Sequence, residues 1–154
     1  MIRLYLVTVA IMGVLALMGA ACERAAPIDD GNGILGHAHG CPEEIEQSGR
    51  EVAALAQHFA DLTGRDVREV RAVLATVDVY CGPKEEQDRW CLDSWRPEGQ
   101  DSIACTTYRF DVGPRVWLDE EKASAALLVH EDTHALSWAM DGMPDHDHER
   151  DGLW

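Results

Sequence analysis

Positive charge is what this chain has least of. Lysine and arginine together number 13 against 28 aspartates and glutamates, so the net charge is −15 with neutral histidines. Phosphate recognition needs a basic face, which excludes nucleic acid as a partner. An anionic membrane surface repels such a chain as well, so any membrane attachment has to come from lipid. No internal repeat runs along the sequence, which excludes a solenoid. No glycine loop of the kind that cradles a nucleotide's phosphates is present. No serine or cysteine stands in a recognisable nucleophile setting, which sets covalent catalysis aside.

Charge is scarcer still at the start. The first 21 residues, MIRLYLVTVAIMGVLALMGAA, carry only Arg3, and the uncharged stretch from Leu4 to Ala21 runs up to Cys22. A short positive start, an apolar run and small residues before a cut form the pattern of a secretory signal. The run is just long enough to serve as an uncleaved anchor instead. Gly19, Ala20 and Ala21 favour cleavage, because an anchor has no need of them. The stretch resembles a bacterial lipoprotein signal. That resemblance implies that Cys22 is acylated and becomes residue one of an exported lipoprotein, membrane-anchored and facing the periplasm or the cell exterior. Gly19 stands where that family usually has leucine, which leaves cleavage after Ala21 and a soluble secreted or periplasmic product as the alternative.

The expected organisation is a signal peptide over 1–21, a lipid-anchored tether over 22–42 and one domain over 43–154. The tether is read from ERAAPIDDGNGILGHAHGCP, where Gly, Pro and Asp recur without period. With Cys22 lipidated, Cys41, Cys81, Cys91 and Cys105 remain, enough for two disulfides in an oxidising compartment. Three pairings are open, and Cys91–Cys105 is favoured because the two bracket a turn-rich segment.

Apolar residues Ile45, Val52, Leu55, Ala56, Phe59 and Leu62 recur at three- and four-residue spacing, which predicts an N-terminal amphipathic helix from Glu43 to Thr63, closed by Gly64. The next stretch fits a helix through Val67, Val70, Val73, Leu74 and Val77 and a strand through Val73, Ala75, Val77 and Val79. Its β-branched content favours a strand from Val73 to Tyr80. Residues 82–104 read as a disulfide-clamped loop, and TTYRFDVGPRVWLD as two short strands around Gly113-Pro114. Asp119 is a good helix N-cap, and the helix it opens is expected to stop at Gly142 with Pro144 beyond.

That last helix carries LLVHEDTHALSW, residues 127–138. Residues four apart share a helix face, so His130 and His134 point the same way, one turn apart. Two imidazoles so placed can grip one tetrahedral ion, and zinc suits them. Glu131, about 100° round the helix, can serve as a base without being a ligand. Almost everything around these residues is apolar, and titratable groups in a buried helix are costly unless paired or bound to metal.

With a strand just before it, the HExxH helix resembles that of the zincin metallopeptidases, over roughly residues 106–148. The resemblance implies an α+β fold: a small zincin-like domain with a buried HExxH active-site helix following a short β-sheet. It implies His130 and His134 as zinc ligands, Glu131 as general base and a peptide or protein as substrate. The strand near RVWLD would pair with that peptide. The glycine-histidine and later-glutamate third ligands of two zincin branches are missing. The stretch PDHDH follows the helix breakers instead. His146 is favoured as third ligand, with His148 and Asp145 as rivals and Asp147 and Glu149 also within the cluster. A neighbouring aspartate can orient the ligating imidazole.

A different class of function fits the seven histidines of an acidic chain: an envelope zinc-binding or metal-buffering lipoprotein without catalysis. His37 and His39 lie outside the motif and fit either. A third reading is a degenerate zincin fold used for binding. Tyr80 and Tyr108 are candidate oxyanion donors. His58 reads as a helix-face residue, and the five tryptophans as core.

Overall fold

The computed structural model describes residues 25–91, 102–109, 112–142, 148 and 152. The expected signal peptide and Cys22 lie outside the described residues. Among those described, no helix is long and apolar enough to cross a membrane.

Five strands form one sheet: β1 (Ala26–Asp29), β2 (Ile34–His39), β3 (Asp78–Gly82), β4 (Ala104–Arg109) and β5 (Gly113–Asp119). Their lateral order is β1-β2-β3-β5-β4. The inner strands β2, β3 and β5 are mutually parallel, while β1 and β4 close the two edges antiparallel. Parallel neighbours need crossovers. Between β2 and β3 the chain runs through α1 (Glu43–Glu46), α2 (Gly49–Thr63) and α3 (Val67–Leu74). After β3 comes α4 (Lys84–Trp90), and after β5 comes α5 (Ala125–Asp141). The expected α+β class is what the chain adopts.

Successive side chains on a strand face opposite ways, and this sheet uses both faces. Val79, Val116 and Leu118 turn towards α2, α3 and α5 and share one core with Val52, Phe59, Val70, Leu74, Leu128 and Leu136. Trp117 turns the other way, packing with Cys91 and Cys105 beside Tyr80. Disulfides join Cys41 to Cys81 and Cys91 to Cys105. The second is the pairing favoured from the sequence, and it ties the end of α4 to β4.

Residues 26–39 are not a tether. They form the β1–β2 hairpin, and Ile28, Leu35 and Ala38 are buried in the core. The glycines that suggested slack make the turn, with Gly31 and Gly33 at φ 87° and 146°, where only glycine is at ease. The folded domain therefore begins by Ala26 and not at Glu43.

Three element boundaries also differ from expectation. The strand expected from Val73 to Tyr80 is the last turn of α3 followed by β3. Asp66 caps α3 by accepting the Arg68 N–H at 2.8 Å. Val70 and Leu74, four apart, bury the helix stripe, and burial of that stripe outweighs β-branched preference. The helix expected to run unbroken from Glu43 breaks at Gln47–Ser48, where the buried Ser48 hydroxyl donates to the Ile45 carbonyl at 2.7 Å. The last helix starts at Ala125, capped by Ser124, whose hydroxyl accepts the Leu127 N–H at 3.3 Å. Asp119 instead ends β5, its carboxylate accepting the Glu121 N–H at 3.0 Å. The stops at Gly64 and Gly142 are as expected, at φ 69° and 72°.

RVWLD belongs to β5, which is flanked by β3 and β4 and has no open edge for a peptide. Among the described residues, the edge strand beside α5 is β4. Residues 82–104, expected as loop, include α4, and 92–101 lie outside the described residues.

Gly49 opens α2 directly against β1. A Cβ there would sit 2.1 Å from the Asp29 carbonyl oxygen, a backbone atom that cannot swing aside. Gly49→Ala is expected to destabilise the fold by about 3 kcal/mol, the upper range for overpacking. Urea unfolding of the variant beside wild type measures this. An unchanged midpoint would contradict the close docking of α2 on β1.

Candidate metal centre

Helix α5 packs Leu128, Ala135 and Leu136 into the core and leaves His130 and His134 half-buried on another side. Their rings meet edge to face with centroids 5.0 Å apart, one helical turn from each other. A third imidazole completes the group. His148 lies with its ring 4.9 Å from that of His130 and 5.3 Å from that of His134. One ligand atom from each histidine lies within 4.8 Å of the others.

The spacing tests whether a metal fits. Two nitrogens about 2.0–2.1 Å from one tetrahedral zinc lie about 3.4 Å apart. The Nε2 atoms of His134 and His148 are 3.4 Å apart. Three imidazoles make a donor set that suits zinc. The His148 backbone is in the left-handed region, at φ 54°. Histidine visits that region at a cost of order 1 kcal/mol and holds it where the surroundings fix it.

Glu131, one residue along α5 from His130, reaches strand β4 at the edge of the sheet. The Thr106 hydroxyl, on β4, lies 2.7 Å from Glu131 Oε2 and 2.8 Å from the Glu131 carbonyl oxygen. It therefore holds the carboxyl in place between strand and helix. Glu131 is only 6% exposed. Burial raises its pKa to about 7, against the Thr106 hydrogen bond, which favours the charged form. Next to it, Asp132 is buried with no hydrogen-bond partner on Oδ1. Burial first and the Glu131 charge second raise the Asp132 pKa well above the ordinary carboxylate range. Burial, and secondarily the charge on His148, lowers the His130 pKa, which favours the neutral imidazole a metal needs.

The far end of α5 is anchored by Arg65, at the start of the α2–α3 turn. Its Nη2 donates to the Met140 carbonyl and to Asp141 Oδ1, each at 2.8 Å.

A pH dependence follows for the metal-free protein. The folded pKa of Glu131, about 7, stands above its ordinary 4.5. The proton is thus bound more tightly in the folded state. The resulting stability is fully present below pH 4.5 and is lost as pH rises through 7. The loss is of order 3 kcal/mol. Chelated wild type should weaken between about pH 5 and pH 8 more than chelated Glu131→Gln does. Parallel stability curves for the two would contradict the burial of this carboxyl.

Of the residues expected at the site, His130, Glu131 and His134 share α5 as anticipated. His146, the favoured third ligand, lies outside the described residues, as do Asp145, Asp147 and Glu149. His148 is the tail residue that the structure brings to the pair. Thr106 was not anticipated. Its only trace in the sequence is alternation along TTY, which puts Thr106 and Tyr108 on one side of β4. Tyr108 packs against Trp138 of α5, with ring centroids 5.2 Å apart. Tyr80 lies on the opposite face of the sheet, stacked on Trp117. His39 pairs with Asp78 at 3.0 Å and joins no metal cluster among the described residues. His58, on α2, contacts the Gly152 carbonyl oxygen at 2.5 Å.

No protein-family model, curated protein or solved structure matches this chain.

Proposed function

We propose that the chain is a small, zincin-like zinc peptidase of the bacterial cell envelope, with His130, His134 and His148 as metal ligands and Glu131 as general base. The observation that carries this reading is the convergence of three imidazoles beside a buried, strand-held glutamate one residue along the same helix. A metal-buffering protein has use for the imidazoles but none for a carboxyl fixed by Thr106.

Zinc supplies a Lewis acid that polarises a carbonyl and makes water acidic near neutral pH. Glu131, with a pKa of about 7 in its buried setting, takes a proton from the attacking water and passes it to the leaving nitrogen. Thr106 keeps the carboxyl aimed during both transfers. Strand β4 carries Thr106 and is the sheet's outer strand beside α5. Its outward backbone N–H and C=O groups suit an extended peptide, which would lie next to Glu131. The strongly acidic surface favours basic over acidic substrates.

Two disulfides fit an oxidising compartment outside the cytoplasm. This supports export, with Cys22 as the lipidated residue that attaches the protein to the membrane. The test is cleavage of a quenched peptide library by the purified protein. Turnover should disappear with chelator and return with zinc. Absence of cleavage at every zinc loading would overturn the peptidase reading.

A further inference from the structure

The face of the sheet away from the histidines carries a second feature. A cross-strand row of rings runs over it. His39 stacks on Tyr80 at 4.4 Å, Tyr80 on Trp117 at 4.4 Å and Trp117 on Trp90 of α4 at 4.6 Å, with interplanar angles of 10°, 15° and 6°. Strand register sets this row, because His39 pairs with Tyr80 and Tyr80 with Trp117.

Beside the row is a cavity of about 350 Å³, lined by His39, Tyr80, Glu86, Gln87, Trp90 and Trp117 among others. It lies at the carboxyl ends of the parallel strands β2 and β3. The chain leaves β2 for α1–α3 on one face and leaves β3 for α4 on the other. A crevice where adjacent parallel strands send their connections to opposite faces is where open α/β sheets bind small molecules. Two buried polar atoms on residues lining it have no hydrogen-bond partner: the Trp117 Nε1–H donor and the Gln87 Oε1 acceptor. Gln87 is 1% exposed and Trp117 9%. The Gln87 amide nitrogen is already used, donating to Cys91 Sγ at 3.1 Å and Ser102 Oγ at 3.3 Å. At the mouth, Gly82 leaves room for Glu86, whose Oε2 would be 3.2 Å from a Cβ there.

We infer that this cavity binds a neutral carbohydrate of about one sugar ring. Both atoms are closed to solvent, so a ligand reaches them as the two side chains turn towards the cavity. Buried donors and acceptors without partners are costly, and a ligand that meets both gains from each. A hydroxyl group donates and accepts, and a sugar carries several. Its C–H faces pack on aromatic walls without requiring charge. An anion meets Glu86 and a net charge of −15. A cation satisfies Glu86 and Gln87 but faces the positive end of the Trp117 N–H. The site is independent of the metal centre and of the peptidase reading.

The experiment titrates the full-length protein with methyl α-glucoside, methyl α-galactoside and N-acetylglucosamine, with spermidine and acetate as charged probes. The readout is the Trp117 indole N–H resonance, assigned by its loss in Trp117→Phe. At least one sugar should shift it saturably, and chelation of zinc should leave that titration unchanged. Trp117→Phe keeps the ring stack and removes the donor, and should weaken binding about tenfold. Gln87→Met removes the acceptor and should do the same, and it carries the test if the first variant fails to fold. No shift with any sugar, a shift with a charged probe alone, or undiminished binding in the folded variants would overturn the inference.

Discussion

Glu131→Gln is expected to keep zinc and lose turnover by about a hundred- to ten-thousandfold, the range of a general acid–base contribution. Glutamine has nearly the same shape and can still accept the Thr106 hydroxyl, so the α5–β4 contact survives. What it cannot do is take up a proton. The carboxyl it replaces is buried, held at 2.7 Å by Thr106 and shifted to a pKa of about 7, where a proton can be gained and released near neutral pH. The variant should bind one equivalent of zinc with wild-type affinity in a chelator competition and show a much reduced kcat on the best library peptide. Retained turnover would remove Glu131 from the chemistry. A metal buffer, by contrast, would be indifferent to the change.

Removing His148 should have the largest effect on the metal itself. Partners that merely orient a ligand are worth about 10–100-fold in metal affinity, so deleting a ligand from a set of three should cost more than about a hundredfold. His148→Ala is therefore expected to lose zinc to a chelator that wild type resists, while His146→Ala stays within a few-fold of wild type. Competition titration of both variants reads this directly. The opposite ranking would return the third-ligand role to His146 and show that His148 is only a neighbour of the pair.

The pair itself was legible because it rests on local geometry. A four-residue spacing in an apolar helix fixes which face two side chains share, whatever the rest of the fold does. The stop at Gly142 was legible for the same reason. The choice between His146 and His148 was not, since they lie beyond the helix breakers Gly142 and Pro144, where spacing no longer fixes direction. Thr106 was hidden because its role arises only when β4 and α5 meet in three dimensions, 25 residues apart.

The β1–β2 hairpin was missed on similar grounds. APID offers one buried residue, Ile28, and a strand that short has no alternation to read. Its identity comes from pairing with β2, whose Leu35 and Ala38 are buried only because α2 and α3 cover them. At α3, β-branched residues suggested a strand, and the burial of Val70 and Leu74 one turn apart decided for helix. Cys91–Cys105 was readable from closeness in sequence. Cys41–Cys81, 40 residues apart, needed the parallel pairing of β2 and β3.

The most direct test of the central claim is X-ray absorption at the zinc edge on the full-length protein loaded with one equivalent of metal. Three histidine nitrogens about 2.0–2.1 Å from the ion, falling to two in His148→Ala, are expected. Failure to hold stoichiometric zinc, or a coordination sphere of carboxylate oxygens unchanged by that substitution, would contradict it.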